Sequence, residues 1–168
     1  ENYWKSRLYK GEAFFASSNS NIAYLNNSIV FISGGIKSRL WINGEAMELP
    51  IIQGLNSTGA NSLAISPNLK HIGIAGGDFA KPAEMNDNFI KLNRFKNDNT
   101  INQNSNESVN SWKTDKGVNK LNGYKSSLVF INNKLMVACG TSGVDISKNE
   151  GKEWEKISNE SFHVLQPY

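Results

Sequence analysis

Residues 22–35 read Ile22-Ala23-Tyr24-Leu25-Asn26-Asn27-Ser28-Ile29-Val30-Phe31-Ile32-Ser33-Gly34-Gly35, two short apolar runs around an Asn-Asn pair, closed by glycine. Asparagine tolerates the left-handed backbone of a tight hairpin turn, and β-branched and aromatic residues suit the flanking strands. The same order of residue types returns twice. The second copy is Leu63-Ala64-Ile65-Ser66, then Pro67-Asn68, then His71-Ile72-Gly73-Ile74-Ala75-Gly76-Gly77. The third is Leu128-Val129-Phe130-Ile131, then Asn132-Asn133, then Leu135-Met136-Val137-Ala138-Cys139-Gly140. From first apolar residue to glycine the spacing is 12, 13 and 12 residues. Each copy predicts a β-hairpin.

A further polar-apolar segment follows each glycine: Arg39-Leu40-Trp41-Ile42 before Asn43-Gly44, Phe89-Ile90-Lys91-Leu92, and Gly143-Val144-Asp145-Ile146-Ser147 before Asn149-Glu150-Gly151. Trp112 and Trp154 come later in the second and third units. At least three strands per unit, with a fourth expected, and a 41-residue interval between the first two copies approach the ~40–45 residues of a four-stranded propeller blade. The fold expected is all-β, with three to four four-stranded antiparallel blades in units at about 11–56, 57–121 and 122–168, part of a propeller of about seven blades. Ala80 to Asn88 and the polar stretch 97–110 read as insertions, the latter as a mobile surface loop because it lacks apolar residues to offset its ordering entropy. No stretch keeps a helical period over ten or more residues.

The 168 residues carry 18 Lys+Arg against 15 Asp+Glu, a net charge of +3. The basic residues are spread along the chain rather than gathered into the stripe that marks a nucleic-acid site, and no apolar run reaches the ~20 residues of a membrane span. Cys139 is the only cysteine and lies in an apolar run, so it reads as a small core residue. The first residues, Glu1-Asn2-Tyr3, have neither the basic nor the apolar region of a signal peptide.

Ser147-Lys148-Asn149-Glu150-Gly151-Lys152-Glu153-Trp154 fits S-x-D/N-x-G-x-x-W, which resembles the Asp-box or BNR repeat. Gly11-Glu12-Ala13-Phe14-Phe15, Gly76-Gly77-Asp78-Phe79-Ala80-Lys81-Pro82, Gly123-Tyr124-Lys125, Gly140-Thr141-Ser142-Gly143-Val144-Asp145 and Glu160-Ser161-Phe162-His163 follow in an order similar to the bacterial branch of the photosystem II stability/assembly factor-like propellers, often labelled "oxidoreductase". The resemblance implies a non-enzymatic scaffold that binds a protein or polar ligand and assists assembly of a cell-envelope complex, and an exported, periplasmic or outer-envelope location. It also makes Ser147, Asn149, Gly151 and Trp154 the structural box. The alternative is a sialidase-like or other glycan-active Asp-box enzyme, for which Arg7, Arg39 and Arg94 supply three arginines without the usual Arg-Ile-Pro motif.

In a propeller the loops after the repeated glycines converge on one face. That gathers Arg39, Asp78, Lys81, Ser142 and Asp145, with Glu12, Tyr124 and His163 from the motifs between repeats, as candidate ligand contacts. For Asp78 and Asp145 the competing reading is local turn chemistry, and for His163 a half-buried, hydrogen-bonded side chain. No catalytic elbow, phosphate loop, dinucleotide fingerprint or metal-ligand spacing is present, so neither cofactor nor metal is expected. The expected partner is a protein, or the blades that complete the ring, since a closed propeller needs at least four blades; self-association belongs to the same expectation.

Overall fold

The computed structural model describes residues 8–15, 18–95, 107–115 and 120–166. The three hairpins form where the repeats stand. Strand β2 (Ile22–Leu25) turns into β3 (Ser28–Gly35), β6 (Thr58–Ile65) into β7 (His71–Asp78), and β10 (Ser127–Phe130) into β11 (Met136–Gly140). Asn26 and Asn27 have φ of 44° and 57°, the two left-handed residues of a two-residue turn whose twist matches that of the strands. Between β4 (Arg39–Ile42) and β5 (Glu45–Glu48), Asn43 and Gly44 repeat the device.

The turn from β6 to β7 departs from that chemistry. Leu69 donates its N–H to Ser66 O at 2.8 Å with φ of 59°, its side chain 38% exposed. A leucine there carries a left-handed penalty that glycine avoids. Leu69→Gly relieves about 1–2 kcal/mol of that penalty against about 0.5–1 kcal/mol of added chain entropy, so a higher urea midpoint is expected; an unchanged or lower midpoint contradicts this reading.

The expected discrete four-stranded blades are corrected by the sheet connectivity. One sheet runs β5-β4-β3-β6-β7-β8-β9 without a break, with β8 at Phe89–Arg94 and β9 at Trp112–Asp115; β1 (Glu12–Ala13) and β2 also pair with β3. A separate four-stranded sheet runs β10-β11-β12-β13, with β12 at Gly143–Ser147 and β13 at Glu155–Ser158. The all-β class stands; the architecture is a curled half-barrel plus a small sheet rather than propeller blades. The physical cause lies in β3. It is eight residues long, and its last residues leave β4 to pair with β1 and, through Gly34 and Gly59, with β6. A Cβ on Gly59 would lie 2.6 Å from Gly34 Cα, so only paired glycines let two backbones join at that point. Repeat spacing reports hairpins; it carries no information on whether neighbouring units share a ladder.

The long sheet has two arms, β2–β5 and β6–β9, which enclose one core. Leu25, Val30, Ile32, Leu40 and Ile42 of the first arm meet Leu63, Ile72, Ile74, Ile90 and Leu92 of the second. The second arm is covered on its other face too. There Ala64, Ala75 and Phe89 receive Leu128, Phe130, Met136 and Ala138 of the small sheet. Every residue of β7 after His71 is buried, which explains why Ile72 to Gly77 read as a run of apolar and small residues rather than an alternation. Gly73 admits the small sheet, since a Cβ there would come within 2.7 Å of Met136 Cε.

The polar stretch expected to be a loop lies, for residues 97–106, outside the described residues. Its end is ordered: Glu107 is 6% exposed, pairs with Arg94 and accepts from Asn26 Nδ2 at 2.8 Å, ahead of a 3-10 turn at Val109–Ser111. No helix among the described residues is long and apolar enough to cross a membrane.

Candidate functional site

The residues singled out by sequence separate into small groups, each bonded within its own neighbourhood. Pairing of β1 with the end of β3 sets Glu12 opposite Gly35, while Arg39 pairs with Ser33 one strand over. Arg39 grips Glu12 with Nε (2.8 Å to Oε1) and with Nη2, and Ser33 Oγ donates to the same carboxylate. The guanidinium lies 4.2 Å from the Trp41 ring and 4.9 Å from that of Tyr9. Burial alone would raise the Glu12 carboxyl; the hydrogen bonds from Arg39, Ser33 and the Tyr9 N–H outweigh it and hold the group below its ordinary value. A depressed carboxylate contributes stability above the unfolded-state value of 4.5 and loses it as pH falls through the lower folded value. Glu12→Gln should therefore cost about 2 kcal/mol at neutral pH and unfold along a shallower acid limb. Parallel acid limbs for the two proteins would refute this role.

Asp78 is 3% exposed and accepts from Ala80 N–H at 2.9 Å, an Asx turn. Lys81 pairs with Glu84 at 3.3 Å on the surface. Tyr124 donates its hydroxyl to Asn61 Oδ1 at 3.1 Å, and its ring stands edge-on to Phe79. His163, expected half-buried, is exposed, because the chain after β13 leaves the sheet; its carbonyl accepts from Ser126 Oγ at 3.3 Å.

Ser142 and Asp145 do meet, around a lysine the sequence reading passed over. Lys125 Nζ, in a side chain with no exposed surface, donates to Ser142 Oγ (2.8 Å), Asn122 O (3.0 Å) and Gly143 O (3.3 Å). Its three protons are thereby used, so Asp145 Oδ1 at 3.3 Å is an ion-pair contact without a hydrogen bond, while Oδ2 accepts from Asn122 N–H at 2.7 Å. Burial pulls the Lys125 ammonium below its ordinary value, and Asp145 opposes that. Ser142 Oγ spends its own proton on Tyr124 O at 2.8 Å. This is a clamp at the β11–β12 turn, in which the protons of Lys125 Nζ and Ser142 Oγ are already engaged.

Around Ser147 the turn is braced by its own hydrogen bonds and packs on β8. Ser147 Oγ accepts from Gly151 N–H at 2.9 Å, Asn149 Oδ1 accepts from Glu153 N–H at 2.9 Å, and Trp154 stands edge-on to Phe89 at 5.1 Å. Cys139 is fully buried and its thiol is pushed up to about 11 by that burial, so it should resist alkylation until the chain unfolds. Alkylation of the native protein at the rate of an exposed thiol would disprove this.

A second charged group was also missed. Lys91 is 2% exposed and reaches Asp115 (3.3 Å) and Glu150 (3.4 Å). His71 Nδ1 meets Asn93 Oδ1 at 2.8 Å, Asn93 Nδ2 donates to Asp115 at 3.2 Å, and His71 Nε2 stands 4.0 Å from Glu150. The ring ties the long sheet to the β12–β13 turn. Its signal in the sequence was a lysine inside the apolar run Phe89-Ile90-Lys91-Leu92. Among the described residues no group of three His, Cys, Asp or Glu is placed to hold a metal ion.

Two apolar rows on the sheet faces stand outside these polar groups. On the outer face of the first arm, Ile22, Tyr24 and Ile29 are 58%, 69% and 54% exposed, with Tyr24 directly across from Ile29 and Ile22 across from Phe31. On the outer face of the small sheet, half-buried Val137 pairs with half-buried Ile146, next to half-buried Val144 and exposed Ile131.

No protein-family model matches the chain, and no curated protein does. Together with the continuous sheet, this overturns the resemblance to the photosystem II assembly factor-like propellers and both functions drawn from it, the envelope scaffold and the glycan-active Asp-box enzyme. The box-like turn at Ser147 is a local hydrogen-bonding solution that any hairpin of this shape can use; it does not fix the architecture around it.

Proposed function

We propose that the chain is a protein-docking module that binds through the outer face of its first arm. The observation that carries this is the row Ile22, Tyr24 and Ile29. The solvent face of an antiparallel sheet is ordinarily polar, and contiguous exposed apolar surface is characteristic of interaction sites. Glu12, Arg39, Lys91 and Lys125 are engaged in internal ion pairs and hydrogen bonds, which favours docking through the apolar row. Cross-linking in extracts of the source cell, with wild type beside Tyr24→Lys/Ile29→Lys, tests the reading. The expected result is a cross-linked protein, this chain itself included, that the double variant loses. Identical cross-links from both would defeat it.

A further inference from the structure

We infer that the partner docks as an extended segment, added as one further strand along the open edge of β2 and apolar at every second position. The inference rests on the docking reading above and adds the partner's form and chemistry.

Pairing with β3 uses only half of the β2 backbone. Bonded and non-bonded pairs alternate along an antiparallel ladder, and the pair that closes a two-residue turn is a bonded one. Leu25 opposite Ser28 closes the Asn26-Asn27 turn, so Ala23 opposite Val30 is bonded as well, and Ile32 N–H donating to Asn21 O at 3.0 Å continues the series. The N–H and C=O groups of Ile22 and Tyr24 therefore point away from β3. On that side Ser20 O still accepts from Leu63 N–H of β6 at 2.7 Å. Past it β2 pairs with β3 alone, and among the described residues no hydrogen bond reaches those four groups. An open strand edge is a template for another strand, and proteins ordinarily guard it with charge, a bulge or a covering. The other outer strands are guarded. β5 carries Glu45 and Glu48, β9 carries Lys113 and Asp115, and β13 carries Glu155 and Lys156 beside a bulge in β12. β10 has no charge but is buried along its length. β2, Ile22-Ala23-Tyr24-Leu25, has neither charge nor proline nor bulge, and Ile22 and Tyr24 are exposed. Residues directly across a ladder share a face. A segment bonded to Ile22 and Tyr24 thus sets the side chains of its own alternate residues beside theirs, on the face that also holds Ile29. The chemistry that matches is a segment apolar at every second residue, with no charge or proline where it pairs; main-chain bonds supply affinity and the alternate side chains selectivity.

The test selects binders of the whole chain from a phage-displayed library of random linear peptides and follows amide hydrogen exchange by NMR. In the free chain the Ala23 and Leu25 amides are expected to exchange slowly and those of Ile22 and Tyr24 fast. With a selected peptide at saturation, the Ile22 and Tyr24 amides should slow by about tenfold or more, the worth of a hydrogen bond, and the selected sequences should show the alternating pattern. Ile22→Pro removes an edge N–H that β3 does not use, and should bind the peptide about tenfold more weakly than Ile22→Ala, which keeps it. Circular dichroism melts check that both variants fold; if Ile22→Pro does not, exchange in the wild-type chain decides. Peptides that bind without slowing these two amides overturn the inference, and so does a selection that yields no binder. Protection of the same amides that grows with protein concentration, without peptide, overturns it in favour of a second copy at the edge. If the two amides stay unprotected while the cross-linked protein of the preceding test is still lost in Tyr24→Lys/Ile29→Lys, the added strand is refuted and the docking face is not.

Discussion

Asp145→Ala is expected to lower the stability of the folded chain by about 3–5 kcal/mol. The substitution removes the carboxylate that, among the described residues, stands beside Lys125, an ammonium with no exposed surface whose other partners are a hydroxyl and two carbonyls. It also orphans the Asn122 N–H that Asp145 Oδ2 accepts. A charge left alone in a dry interior keeps its desolvation cost without the offsetting attraction, and the whole stability of a domain is only about 5–15 kcal/mol. Urea unfolding of the variant should show a midpoint far below wild type. Lys125→Met/Asp145→Leu, which removes both charges and fills the space, should recover much of the loss. A double variant no more stable than Asp145→Ala would show that the pair does more than neutralise itself.

Gly76→Ala is expected to cost at least about 3 kcal/mol, the upper end of overpacking. A Cβ at this position would stand 1.9 Å from Gly59 O and 3.1 Å from Ala60 Cα. The obstacle is backbone, in the strand that joins the two arms through Gly34 and Gly59, so no side chain can swing away to make room. Gly54→Ala is the control. Its Cβ would meet nothing within 4 Å, and only the strain of a φ of 109° remains, worth about 1–2 kcal/mol. Equal losses at the two positions would mean that close approach at Gly76 does not hold the curl.

The contrast between these two glycines shows how far the fold was legible. Turn chemistry is local, so Asn26-Asn27 and Asn43-Gly44 announce their hairpins from composition alone. Whether Gly34 and Gly59 bond across arms depends on residues far apart in the chain, and the same glycines serve equally well to end a strand. The repeat spacing therefore suggested separate blades where the backbone runs on. The candidate site followed a similar course. Glu12, Arg39, Ser142 and Asp145 read in the sequence as candidate ligand contacts; the structure joins Glu12 to Arg39 and gives Ser142 and Asp145 a shared partner. The partner of the second pair, Lys125, lies in Gly123-Tyr124-Lys125, where nothing local distinguishes a buried lysine from a solvated one. The exposed face of the first arm escaped notice for the opposite reason. Ile22, Tyr24 and Ile29 read as ordinary members of β-strands, and only the register, which sets Tyr24 across from Ile29 with solvent above them, separates them from the core residues beside them.

Cross-linking of the wild-type chain beside Tyr24→Lys/Ile29→Lys tests the central claim most directly. If the outer face of the first arm, with Ile22, Tyr24 and Ile29 exposed, docks a protein, wild type yields a cross-linked partner that the double variant loses while folding as wild type does. Identical cross-links from the two proteins would contradict it.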